Sequence, residues 1–91
     1  MKKSVRLFLT GAVQGVFFRD FIKDKAVKSN VRGFVRGLED GRVEIFLEGD
    51  GESVDSMIQI CKRGSPHSQI RSVEEKEERF QDFKEFKVLN F

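Results

Sequence analysis

The stretch that decides the fold lies near the start of the chain and reads Val5-Arg6-Leu7-Phe8-Leu9-Thr10-Gly11-Ala12-Val13-Gln14-Gly15-Val16-Phe17-Phe18-Arg19. Its first part alternates between two faces, with Val5, Leu7 and Leu9 on the apolar one, which predicts a strand over residues 4–10. From Phe18 onward the apolar residues recur at helical spacing instead. Two glycines bracket the segment between these patterns. The stretch therefore predicts a strand that passes through a glycine-containing loop into a helix.

The middle of the chain continues with a predicted hairpin. Asn30 tolerates the left-handed conformation that ends many helices, so we place the end of the first helix there. Residues 31–36 and 42–48 each predict a strand, and the turn at Asp40-Gly41 between them is a common hairpin signal.

A second helix and two further strands complete the pattern. Asp50 can cap this helix and Gly64 can end it. Its predicted buried stripe consists of Val54, Met57, Ile58 and Cys61. Residues 69–79 hold a very polar strand, in which we expect the run Glu74-Glu75-Lys76-Glu77-Glu78 to be solvated. A short last strand is predicted within residues 85–90.

This order of elements predicts an α+β sandwich of the ferredoxin-like, split βαβ type. We expect an antiparallel sheet of about five strands with two helices on one face. The 91 residues fit a single domain spanning 1–91.

Composition excludes several function classes. A net charge of +2, from 17 basic and 15 acidic residues, is too balanced to indicate nucleic-acid or membrane binding by charge alone. One cysteine cannot form an internal disulfide or a multi-cysteine metal site. No apolar run is long enough to span a membrane, and we expect a cytoplasmic protein. No extended apolar stripe is left over, so we expect a monomer.

The loop between the first strand and first helix has the properties of an anion site. The first amides of a helix lack backbone partners, and the helix dipole adds positive charge there. A glycine-containing turn lets several amides converge on one anion. Arg19 adds a planar, permanently charged fork that suits phosphate oxygens. No Gly-Lys-Ser/Thr follows, so this is not a Walker loop. From these residues alone, the loop can be either a phosphate cradle or an ordinary strand-to-helix turn.

Two motifs resemble the acylphosphatase family. The family signature Gly-x-Val-Gln-Gly-Val-x-Phe-Arg matches at Gly11, Val13, Gln14, Gly15, Val16, Phe18 and Arg19. A second signature matches at Gly33, Phe34, Val35, Arg36, Gly41, Val43 and Gly49, and departs from the family at Gly37. The two motifs are in register and the resemblance covers nearly the whole chain.

The resemblance implies an enzyme that hydrolyses an acyl phosphate without metal or cofactor. It assigns phosphate binding to Arg19 and to the amides of Gly15, Val16, Phe17, Phe18 and Arg19. The expected partner is a small acyl phosphate or phosphate, and no nucleic acid.

The departure at Gly37 concerns the family asparagine that positions the attacking water. Glycine has no side chain for this role, and Arg36 and Leu38 should face the opposite side of the strand. Neither Asn30 nor Gln14 matches the family position. Three readings follow: a slow enzyme, a water held by backbone groups in the vacated space, or a non-catalytic phosphate binder.

Other residues have simpler interpretations. Arg32-Gly33-Phe34-Val35 partly resembles an RNA-recognition motif, but it falls on the second strand rather than the third, so RNA binding is a weak alternative. We expect His67, the single histidine, to be a surface loop residue and Cys61 to be a buried structural thiol. Phe18 fits the packing face of the helix. Phe17 can either pack in the core or line the mouth of the site.

Overall fold

The computed structural model describes residues 1–13 and 15–89. Within them the chain forms five strands and two helices in the order β1–α1–β2–β3–α2–β4–β5. Gln14, a member of the first signature, lies outside the described residues. The bounds are Lys2–Ala12 for β1, Val16–Lys28 for α1, Arg32–Gly37 for β2, Val43–Asp50 for β3, Gly51–Arg63 for α2, Gln69–Glu77 for β4 and Phe86–Leu89 for β5.

The strands form one sheet in the order β4-β1-β3-β2-β5. Strand β1 pairs antiparallel with β3, with Leu7 opposite Ile45, and two further antiparallel pairs join β4 to β1 and β2 to β3. The ferredoxin-like prediction is confirmed, with one difference at the edge. There β5 runs parallel to β2, with Gly33 opposite Phe86, so the sheet is mixed. This happens because residues 78–85 carry the chain from one edge of the sheet to the other.

The core lies between the sheet and the two helices. Alternate residues of the central strands, such as Leu7 and Ile45, are fully buried there. The helix α1 contributes Phe18, Ile22 and Ala26, and α2 contributes the predicted stripe of Val54, Met57, Ile58 and Cys61. Cys61 is fully buried, as predicted, and this burial raises the pKa of its thiol to about 12.

The predicted ends of the elements are close to the observed ones. Asn30 has a φ of 58° after α1, and Gly64 has a φ of 78° after α2, so both helices end where expected. The helix α1 begins at Val16, two residues before the predicted start, because the apolar face first touches the core at Phe18. Asp50 occupies the N-cap position of α2, but its side chain makes no capping hydrogen bond.

The opposite face of the sheet carries a buried polar network that the sequence pattern does not predict. Glu44 pairs with both Arg6 and Arg36, and Arg6 also pairs with Glu78. Residues 74–77 of the acidic run are exposed as predicted, whereas Glu78 is half-buried by its pairing with Arg6.

Segment 78–85 covers part of this face. The carboxylate of Glu48 is buried and accepts hydrogen bonds from the amides of Gln81 and Phe83, at 2.7 and 2.5 Å. The ring of Phe83 packs against Phe34 and Phe46, with centroids 5.9 and 5.2 Å away. This side of the sheet, opposite the helices, is called the open face below. It is held together by ion pairs and partly covered by segment 78–85.

Candidate active site

The candidate site begins where α1 begins. Gly15 has a φ of 102° and a ψ of 165°, a conformation that essentially only glycine adopts. Among residues 1–13 and 15–89 no side chain caps the helix, and the first turn contains no acidic residue. A Cβ added at Gly15 would meet no described heavy atom within 4 Å, so the space beside the turn is open. The local geometry leaves the first amides of α1 available to an anion.

The side chains of the first turn divide between solvent and core. Val16 and Phe17 are 51% and 87% exposed, whereas Phe18 is 3% exposed. The predicted packing role of Phe18 is confirmed. Phe17 does not pack into the core, which favours the other interpretation, in which it stands at the mouth of the site.

Arg19, the fourth residue of α1, is half-buried and has an unusual environment. Helical side chains point back toward the N-terminus, which directs this one over the first turn. Its Nε is buried and has no hydrogen-bond partner among residues 1–13 and 15–89. Within the same residues it forms no ion pair, in contrast to Arg6 and Arg36. A permanently charged fork is thus held in the protein with unused donors.

The sheet brings Gly37 to this fork. Gly37 is the last residue of β2 and lies on the same face as the buried Val35, which is the face that α1 covers. A Cβ added to Gly37 would lie 2.7 Å from Nη1 of Arg19, well inside contact distance. Arg19, which is predicted to bind phosphate, and Gly37, which replaces the family asparagine, are therefore neighbours.

Several other predicted candidates lie elsewhere. Arg36 faces the opposite side of β2, as predicted, and binds Glu44 there. Asn30 follows the far end of α1, and a helix of 13 residues at about 1.5 Å each separates it from the loop. His67 is exposed in the loop after α2, which confirms the surface interpretation. No group of His, Cys, Asp or Glu side chains among the described residues could hold a metal ion.

Comparisons with known proteins identify the family of the chain. The family model named Acylphosphatase matches residues 5–88. The chain belongs to the acylphosphatase family.

Individual acylphosphatases resemble the chain over most of its length. One from Rubrobacter xylanophilus is 46% identical over 76 residues, which cover 84% of this chain and 69% of that protein. Another from Syntrophobacter fumaroxidans is 39% identical over 88 residues, covering 96% and 91%. A crystal structure of acylphosphatase from Bacillus subtilis superimposes with a TM-score of 0.91 at 34% identity, covering 99% of this chain and all of that one.

Two features of this acylphosphatase-family site escaped the sequence interpretation. The contact between Arg19 and Gly37 depends on how α1 packs on β2, which no local pattern encodes. The segment 78–85 that covers the open face is bound in part by the buried carboxylate of Glu48, whose position in an alternating strand looks like that of an ordinary exposed residue. No helix of the described residues is long and apolar enough to cross a membrane.

Proposed function

We propose that this chain hydrolyses an acyl phosphate to a carboxylate and inorganic phosphate. The phosphate is held by the guanidinium of Arg19 and by the amides of residues 15–19. The observation that carries the proposal is the half-buried Arg19, whose Nε has no partner among the described residues, next to a helix start that no described side chain caps. Family membership supports the reaction class and the acyl phosphate substrate.

The chemistry requires little beyond position and charge. The oxygen of a water forms a bond to phosphorus while the bond between phosphorus and the acyl oxygen breaks. The electron pair leaves with the carboxylate, and the proton of the water passes to phosphate or solvent. A carboxylate is a good leaving group, so charge stabilisation on the phosphoryl oxygens supplies most of the catalysis. Backbone amides and one arginine fork provide that stabilisation without a metal.

Placement of the attacking water limits the rate of the proposed reaction. No side chain at residue 37 can hold a water, and Arg36 is tied to Glu44 on the other face. A poorly placed reacting group can cost on the order of a hundredfold in rate. We therefore propose a slow enzyme that binds its substrate through the retained cradle.

The test is hydrolysis of benzoyl phosphate by the intact protein, by Arg19→Ala and by Gly37→Asn. Loss of a transition-state donor predicts a fall in kcat/KM on the order of a hundredfold or more for Arg19→Ala. The carboxamide of Gly37→Asn should raise kcat on the order of tenfold, by restoring a group that can hold the water, while its Cβ, which would lie 2.7 Å from Nη1 of Arg19, should raise KM by displacing that guanidinium. Equal rates for the intact protein and Arg19→Ala would contradict the role of Arg19.

A non-catalytic phosphate binder is the second candidate, favoured by the missing side chain at Gly37. It predicts saturable phosphate binding with no hydrolysis above the spontaneous rate.

The RNA-binding alternative gains no support from the sheet, because Phe34 and Phe46 of its open face already pack against Phe83.

A further inference from the structure

The space at Gly37 is already used by the protein itself. The nearest described heavy atoms to an added Cβ belong to Arg19, with Nη1 at 2.7 Å and Cζ at 4.0 Å. No backbone atom lies as close. The guanidinium therefore occupies the volume that any other residue type would fill at this end of β2.

This volume matters because little else fixes the fork. Arg19 has no carboxylate partner among the described residues, and its Nε has no acceptor there. Arg6 and Arg36 are held by the buried Glu44, but Arg19 is held only by what it packs against. An arginine whose donors are unpaired keeps one orientation only if sterics impose it.

We infer that Gly37 is a positioning residue for Arg19: the missing side chain lets the guanidinium lie against the end of β2, and this contact orients it toward the phosphate. The inference rests on the proposed function for its second half, the phosphate. It differs from the water-placement argument, because here the effect of residue 37 acts through Arg19.

A single added methyl group separates this role from a structural one. Gly37→Ala places a Cβ at a distance that real Cβ atoms do not show, so Nη1 must move by more than half an ångström to reach about 3.4 Å. The displaced group is the tip of a flexible side chain, so the fold should tolerate the change. Alanine is also no worse than glycine in a strand. We therefore expect Gly37→Ala to leave the free energy of unfolding unchanged and to displace the guanidinium of Arg19.

The first measurement needs no ligand. The Nε–Hε signal of Arg19 is followed by NMR in the intact protein, in Gly37→Ala and in the control Gly51→Ala at the start of α2. Gly51, like Gly37, has no positive φ and lies away from the loop in sequence. We expect the signal to shift and its exchange with water to quicken in Gly37→Ala alone. An unchanged signal in Gly37→Ala would overturn the inference.

The second measurement is a double-mutant cycle with inorganic phosphate. Gly37→Ala should weaken phosphate binding about five- to tenfold, since a displacement of more than half an ångström at a charged contact has large effects. In the Arg19→Met background the same substitution should change binding by less than about twofold, because the interacting partner is gone. Equal weakening in both backgrounds, or none in either, would overturn the role in phosphate binding.

The two measurements also separate the inference from the proposed function. If the intact protein does not bind phosphate, the proposed function fails, and the Nε–Hε signal still decides whether Gly37 positions Arg19. If phosphate binds and that signal does not respond to Gly37→Ala, the inference fails alone.

Discussion

The Nε of Arg19 is buried and has no partner among the described residues, which predicts that removing this arginine stabilises the empty protein while destroying its phosphate site. Arg19→Met keeps a similar length of apolar stem and deletes the polar atoms. A buried donor without a partner costs about 1–3 kcal/mol, and a cation near a helix N-terminus costs about 0.3–1 kcal/mol more. The exposed part of the guanidinium recovers some of this through water. We expect a net gain of about 1 kcal/mol in the free energy of unfolding, which raises Tm by about 4–8 °C for a domain of this size.

Phosphate should reverse this order of stability and make the intact protein more stable than Arg19→Met. At a hundred times Kd, a ligand that binds only the folded state adds about 2.7 kcal/mol to the intact protein. Arg19→Met loses charge-assisted bonds worth about 1.5–3 kcal/mol each, so its phosphate affinity should fall at least tenfold.

Urea unfolding followed by far-ultraviolet circular dichroism measures both effects, since the chain has no Trp or Tyr. Chloride at matched ionic strength is the control for the phosphate arm. The reasoning is refuted if Arg19→Met is less stable than the intact protein without phosphate, because Arg19 would then serve the fold. It is refuted equally if phosphate stabilises both proteins by the same amount.

Two further predictions concern the surroundings of the site. Phe18→Ala should lower the free energy of unfolding by about 3–5 kcal/mol, because this ring is buried, whereas Phe17→Ser should change it by less than about 0.5 kcal/mol; equal urea midpoints for the two variants would contradict the orientation of α1. Glu48→Gln should cost about 1–3 kcal/mol, because an amide cannot accept from both the Gln81 and Phe83 amides without leaving a buried donor unpaired. Calorimetry of Glu48→Gln beside the exposed control Glu74→Gln measures this, and equal Tm values would show that Glu48 does not anchor segment 78–85.

Much of the fold follows from local patterns in the sequence. The alternation around Leu7 and the helical spacing from Phe18 both report which side of an element is buried, and burial is what forms the core. The helix ends at Asn30 and Gly64 follow from the backbone conformations that these residues tolerate. The parallel pairing of β5 was missed, because it depends on where segment 78–85 crosses rather than on the strand itself.

Some residues of the site also have a local signature in the sequence, and others do not. Gly15 and Arg19 were identifiable, because a glycine-only conformation and a charged fork at a helix start have local signatures. Gly37 was recognised only by its departure from a family motif, as a side chain that is absent. Its closeness to Arg19 comes from the packing of α1 on β2 and has no counterpart in the sequence pattern.

The most direct test of the phosphate cradle is an NMR titration of the intact protein with inorganic phosphate, observed at the backbone amides of residues 15–19. The account predicts saturable shifts concentrated in these amides, together with the Nε–Hε signal of Arg19, and their loss in Arg19→Met. Shifts spread evenly over the surface, or none at these amides, would contradict it.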